Sequence, residues 1–267
     1  MPRAHFDDLA VTYERNAVVQ KGAAEVLLQL LQIRPEEDVL DVGCGTGHPT
    51  RRLRQMTRGR VEGVDASASM VAEARRGGDE AVRFSLSRAE DLAFDAEFDV
   101  IFSNSALQWF REPERALARM RAALRPGGRM GIQAPATQAY CPAFIEAMAR
   151  VAAHPDTRDT FGRFRNPWFF LETAAEYAAL LERAGLVVKL ARLQEQAARQ
   201  APAAAMSTFE SGAVAGYLGP DCYDVALDDG YARRVRGIVW DALAAQADEE
   251  GMVELVFRRV YLVATRA

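Results

Sequence analysis

Asp41, Gly43, Gly45 and Gly47 fall within the stretch "VLDVGCGTGHPT", where an apolar run gives way to a helical pattern. A strand, a glycine-rich turn and a helix N-terminus together bring backbone N–H groups and a positive dipole end up to a ligand. Glycine suits such a turn because a Cβ blocks close approach or the φ the turn requires. A dinucleotide site needs G-x-G-x-x-G. Aligned on Gly43 and Gly45, its third position holds His48, and Gly47 comes one residue early. Asp41 sets a carboxylate where a pyrophosphate would be repelled and an ammonium or sulfonium welcomed. Asp65 ends the next apolar run, the place of an acid that hydrogen-bonds ribose hydroxyls in such sheets. The loop thus fits an adenosine ligand with a cationic tail better than NAD. Asp65 also has a plainer reading, as N-cap of the helix opening in "DASASM".

The elements that must hold these residues follow from hydrophobic spacing. Val18 to Leu31 carries apolar residues at helical intervals, after a separate short helical piece in "HFDDLAVTYER". Short apolar runs then alternate with helical patterns: strand "DVLDV", helix Thr46–Met56, strand "RVEGVD", helix Ala68–Arg76, strands "AVRFSL" and "FDVIFSN", helix Glu112–Leu124, strand "GRMGIQA". Such alternation predicts βαβ units with right-handed crossovers. The fold class is therefore α/β, a doubly wound, mostly parallel Rossmann-like sheet with helices on both faces. Beyond Pro135, helices are expected over Pro142–Ala153, Glu172–Ala184 and Asp228–Ala247, with strands in "GLVVKLARL" and "MVELVFRRVYLVATRA".

Composition narrows the function. The 267 residues carry a formal net charge of −4, with 49% hydrophobic and 26% charged, so no broad positive field draws nucleic acid or an anionic membrane. Cys44, Cys141 and Cys222 are widely spaced without metal-ligand intervals, which predicts reduced thiols and no metal site. The opening residues lack a signal-peptide core and no later run could span a bilayer, so the expected location is cytoplasmic. Lys21 and Lys189, the only lysines, stand in no motif that suggests Schiff-base chemistry.

D-x-G-x-G-x-G, from Asp41 to Gly47, resembles motif I of the class I S-adenosylmethionine (SAM)-dependent methyltransferases. The similarity continues through "GVDASASMVAEAR" and "FDVIFSNSALQWFREPERALARMRAALRPGGRM". Within that family the chain looks nearest to trans-aconitate methyltransferases and the malonyl-carrier-protein methyltransferases of biotin synthesis. The resemblance implies SAM as cofactor and S-adenosylhomocysteine as product. It sets Gly43, Cys44 and Gly45 against the methionine part, with Asp41 near its amino end and Asp65 on the ribose. Ala66 and Met70 would flank the adenine. Arg88 stands where the family has an acid for the adenine amino group, leaving the Ala89 N–H and Glu90 as substitutes. Asn104 and Ser105 would lie beside the methionine moiety, with Gln108 and Trp109 close to the acceptor. The implied layout is one domain over 1–267: an N-terminal helical lid at 1–35, a SAM-binding core at 36–135, and sheet completion with helical insertions at 136–267, the insertions spanning 136–171 and 194–250.

For the acceptor, aromatic Tyr13 and Trp109 are candidates for walls, with core packing as the other reading. Arg163 and Arg165 share a loop with Trp168, and arginine forks grip carboxylates. Arg258 and Arg259 are the other pair, although strand alternation would separate them. A carboxylate acceptor needs no general base, and no acid–base pair stands in a motif, so no catalytic residue is assigned. The expectation is O-methylation of a carboxylate on a small molecule, free or carrier-protein-bound, with no nucleic-acid or membrane partner. N-, O- or C-methylation of a natural-product intermediate, and an NAD-dependent oxidoreductase, are the alternatives.

Overall fold

The computed structural model describes residues 18–77 and 81–267. The short opening helical piece and Tyr13 lie outside the described residues. Helix α1 (Val18–Leu31) matches its expected span. Strand β1 (Val39–Val42) leads to α2 (His48–Met56), β2 (Val61–Asp65), α3 (Ala68–Arg76), β3 (Val82–Leu86), β4 (Phe98–Asn104), α4 (Pro113–Ala123) and β5 (Leu124–Pro135). After these come α5 (Pro142–Ala153), α6 (Arg158–Phe161), α7 (Ala174–Arg183) and β6 (Val187–Gln200). Helices α8 (Pro202–Glu210), α9 (Ala213–Tyr217) and α10 (Asp229–Ala245) precede the last strand, β7 (Val253–Thr265).

The seven strands form one sheet in the order β3-β2-β1-β4-β5-β7-β6. Strands β1 to β5 pair in parallel, and β7 joins antiparallel between β5 and β6. After β1 the chain moves outward through β2 and β3, then returns to β4 on the other side. That reversal opens a crevice beyond the C-terminal ends of β1 and β4, where ligands bind in open α/β sheets.

Strand alternation sorts the side chains into two cores. Leu40, Val42, Ile101, Met130 and Ile132 pack with Leu117 and Met120 of α4 and Leu180 and Leu181 of α7. Val39, Val61, Val100 and Phe102 pack with Leu27 and Leu31 of α1, Leu53 of α2 and Val71 of α3. Each such aliphatic side chain contributes about 1.5–3 kcal/mol by leaving water. A third core lies off the sheet, where α5, α8, α9 and α10 pack around Phe144, Phe209, Tyr217 and Val239 against the start of β7.

One expected boundary changes. The sequence predicts the second insertion from residue 194, but β6 runs on to Gln200, paired with β7 through Gln200↔Val253. "QEQAARQ" is strand because β7 supplies its hydrogen-bond partners. The helical segment starts at Pro202.

Candidate functional site

Gly43, Gly45 and Gly47 all hold positive φ, at 80°, 54° and 81°. A Cβ on Gly43 would stand 2.3 Å from the Ala106 Cβ, and one on Gly47 2.7 Å from the Phe84 ring. A Cβ on Gly45 would meet nothing within 4 Å. Gly43 and Gly47 are thus needed for packing, and Gly45 faces the open side of the loop. The Gly43 and Cys44 N–H groups donate to the Val64 carbonyl, fastening the loop to β2.

Asp65 receives the Gly45 N–H at Oδ2 and the Ser67 N–H at Oδ1, both at 2.9 Å. Its carboxylate is fixed against the tip of the glycine loop and remains partly exposed. Ser67, not Asp65, caps α3, accepting from the Met70 N–H at 3.2 Å. The plainer reading of Asp65 as that helix's cap is therefore replaced. Ala66 is exposed beside it, and Met70 is buried under the start of α3.

Asp41 is 1% exposed, and the Thr50 hydroxyl donates to it at 2.7 Å. Burial raises its carboxyl to about 7; the Thr50 bond opposes the rise and the nearby Asp65 charge adds to it. A buried carboxylate with so little compensation favours a cation nearby. Burial also pushes the Cys44 thiol well up, so it stays a neutral part of the wall.

On the far side of β3, Ala89 packs into the core at the start of a 3₁₀ turn. Glu90 does not stand free for adenine as expected. It is 4% exposed and accepts the Arg111 N–H at 2.7 Å and the Glu112 N–H at 3.3 Å. Arg88 pairs with the same carboxylate oxygen at 3.2 Å. Burial works to raise this carboxyl, but these bonds outweigh it and hold it below the usual range. Its task is to fasten the chain entering α4.

Past β4, Ser105 takes φ 57°, a turn that swings the chain across the crevice. Its hydroxyl donates to Gln133 Oε1 at 3.1 Å, and Gln108 Nε2 donates to the Ser105 carbonyl at 2.8 Å. Asn104 Oδ1, Gln108 Oε1 and Gln133 Nε2 are buried without a hydrogen-bond partner. Gln133 was missed in the sequence, though a glutamine inside the apolar strand "GRMGIQA" was the signal that could have found it.

The acceptor candidates divide. Trp109 and Trp168 come together, ring centroids 5.7 Å apart, and Trp168 also meets Tyr140 at 6.0 Å and Tyr217 at 4.8 Å. Arg163 and Arg165 do not form the expected clamp. Both are exposed and pair with Asp224, at 3.2 and 3.1 Å, so their charge is already answered at the surface.

Open space at Gly45, a fixed carboxylate on Asp65, a buried carboxyl at Asp41 and unpaired carbonyl oxygens on Asn104 and Gln108 fit an adenosine ligand with a cationic tail. Fold and loop define a class I, Rossmann-like nucleotide-site α/β architecture. Residues 39–128 match the family model described as "Methyltransferase domain". The chain is 38% identical over 125 residues to the trans-aconitate 2-methyltransferase of Deinococcus radiodurans, covering 46% of this chain and 48% of that one. It is 35% identical over 128 residues to the malonyl-[acyl-carrier protein] O-methyltransferase of Hahella chejuensis, covering 47% and 46%. The match spans about half the length of these relatives. The solved structure of YcgJ from Bacillus subtilis shares the fold, with a TM-score of 0.61 at 17% identity, over 92% of this chain and 98% of that one. No helix among the described residues is long and apolar enough to cross a membrane, and no group of metal-binding side chains is found among them.

Proposed function

We propose that the chain is a SAM-dependent methyltransferase that O-methylates a carboxylate of a small acceptor in the cytoplasm. The observation that carries the cofactor reading is the buried Asp41 carboxyl behind a loop open at Gly45 and fastened to Asp65. Asp65 would take the ribose hydroxyls. The Asp41 charge and the Asn104 and Gln108 carbonyl oxygens would face the ammonium and sulfonium end.

SAM, when bound, supplies a methyl carbon whose bond to sulfur breaks as an acceptor oxygen bonds to it, leaving neutral S-adenosylhomocysteine. The chain's part is to hold the acceptor in line, which can lower the barrier by ~7–11 kcal/mol. Trp109 and Trp168 form an apolar wall that excludes water there. Tyr140 and Cys141, the titratable groups after β5, are held protonated by burial, Tyr140 well above its ordinary value and Cys141 at about 12. Neither takes a proton near neutrality, and an ionised carboxylate has none to give up. The two relatives are each named for an acceptor that bears a carboxylate.

The test is incubation with methyl-labelled SAM and a panel of carboxylic acids, free and carrier-bound, beside phenols and amines. Base-labile label on an acid is the expected result. Base-stable label on an amine or ring carbon overturns the acceptor, and failure to bind SAM overturns the whole reading.

A further inference from the structure

Two of the buried amides beside the crevice are tied to one residue, Ser105, whose φ of 57° is a left-handed turn that a non-glycine residue takes at a cost. Strain of this kind gathers at binding sites. The turn is held from both sides: the Ser105 N–H donates to the Gln133 carbonyl at 2.7 Å, and the Ser105 carbonyl accepts from Gln108 Nε2 at 2.8 Å. The Ser105 hydroxyl donates to Gln133 Oε1 at 3.1 Å. That bond fixes one end of the Gln133 amide and turns the Nε2 end away from Ser105. Gln133 is fully buried, yet Nε2 has no hydrogen-bond partner. A buried donor left unanswered is a standing cost in the free protein, and a ligand that accepts from it removes that cost.

The unanswered amide atoms differ in polarity and in place. Asn104 Oδ1 and Gln108 Oε1 accept, whereas Gln133 Nε2 donates. Asn104 and Gln133 are register partners on β4 and β5. Across the sheet, Asp65 ends β2, the glycine loop follows β1, Asn104 ends β4 and Gln133 lies on β5. Neighbouring strands are ~4.8 Å apart, so β5 stands roughly 10 Å from β1, on the side away from Asp65. A cofactor laid from Asp65 across the loop brings its sulfonium to the two carbonyl oxygens. A cation does not accept a hydrogen bond, so the donor on the next strand is left for the group that attacks the methyl carbon.

Resting on the methyltransferase reading, we infer that Gln133 Nε2 donates to the acceptor's reacting carboxylate, at the oxygen that does not attack, and that Ser105 is the positioning residue that aims it. A lone pair of the attacking oxygen forms the bond to the methyl carbon as the carbon–sulfur bond breaks with its electrons onto sulfur, and no proton moves. A hydrogen bond to the attacking oxygen would occupy a lone pair there. One to its neighbour holds the carboxylate in line and leaves the attacking atom free. The bond is strongest while the carboxylate is charged and weakens as the neutral ester forms, which favours release of the product.

The test measures methylation of the panel's carboxylic acids, trans-aconitate among those offered, by the wild type, Gln133→Glu, Gln133→Met, Ser105→Ala and the Ser105→Ala/Gln133→Met double variant. Calorimetric SAM affinity and thermal melting accompany each. Gln133→Glu keeps the shape and can still accept from Ser105, but sets an anion where the donor was. It should cut kcat/KM for the acids on the order of 100-fold, mainly through KM, with SAM affinity within about 3-fold of wild type. Gln133→Met should cut it on the order of 10-fold. Ser105→Ala should cost less, and the double variant no more than Gln133→Met alone, because the two residues act through one bond. Acid turnover unchanged in Gln133→Glu, or SAM affinity falling in step with it, overturns the inference while O-methylation stands. A double variant whose loss is the product of the two single losses overturns the part given to Ser105. Wild-type activity on amines or phenols, with none on any acid, overturns the carboxylate reading and this inference with it.

Discussion

Gly43 and Gly45 share a left-handed φ but differ in what surrounds them, and that difference separates stability from binding. Gly45→Ala adds a methyl group to open space and costs the ~1–2 kcal/mol of a non-glycine residue in that region. Gly43→Ala drives a methyl into Ala106 and must shift the loop. Thermal denaturation should show Gly45→Ala only slightly less stable and Gly43→Ala much less, while calorimetry shows Gly45→Ala losing SAM affinity all the same. Retained affinity in Gly45→Ala would mean the ligand does not lie over that residue. Asp41 gives a second prediction. Burial pushes its carboxyl up to about 7 from the ordinary 3.8, so the native state keeps a proton the unfolded chain has released. Its contribution to stability is full below about pH 4 and is lost as pH rises through about 7. A cationic ligand favours the ionised form, so SAM affinity should climb from pH 6 to 8, with proton release visible as a buffer-dependent binding enthalpy. Asp41→Asn should abolish that dependence; a dependence that survives would place the titrating group elsewhere. At this scale the sequence revealed Asp41, Asp65 and the glycines because a strand-to-turn motif keeps them close in the chain. Thr50 matters through its bond to Asp41, a contact the fold creates, and no local spacing announces it.

The strands are held in register by ion pairs at the opposite end of the sheet from the crevice. Glu37, just before β1, is 4% exposed and takes both forks of Arg129 on β5 at 2.7 Å, while the Arg34 N–H donates to it at 2.8 Å. Burial alone would raise its carboxyl, yet the Arg129 and Arg34 bonds win and lower it to about 2. A depressed carboxyl contributes stability that is present above its unfolded value of 4.5 and lost as pH falls through about 2. Arg129→Met should therefore cost on the order of 3 kcal/mol at pH 7 in urea denaturation, because it leaves a buried charge half answered. The same variant should lose less on acidification than the wild type; an equal loss would show that Glu37 is not the group that titrates. Strands β1 to β5 were legible because buried parallel strands are apolar runs separated by helical patterns. The second half of β6 was not, since "QEQAARQ" lies at a sheet edge with much of it in water and owes its conformation to pairing with β7.

Across the whole molecule, the sheet offers the crevice and a helical lobe packs separately against the start of β7. Trp168 joins the two. Its ring packs on Tyr217 in the lobe and reaches Trp109 after β4, while the Phe169 N–H donates to the Gln108 carbonyl at 2.8 Å. Gly216 makes room for that ring, for a Cβ there would lie 2.1 Å from the indole. If the sheet holds the cofactor and the lobe completes the acceptor wall, damage to this joint should fall on one substrate only. Each aromatic contact is worth ~0.5–1.5 kcal/mol beyond area, so losing the contacts to Trp109, Tyr140 and Tyr217 suffices for roughly a 10–100-fold fall in kcat/KM for the acceptor. Trp168→Ala should show that fall while calorimetric SAM affinity stays within about 3-fold, since none of these contacts involves the glycine loop. Gly216→Ala keeps the indole but displaces it, and should reproduce the acceptor defect in milder form. Should SAM affinity drop as steeply as acceptor turnover in both variants, lobe and sheet would have to act as one binding unit, and the division of labour proposed for them would be wrong.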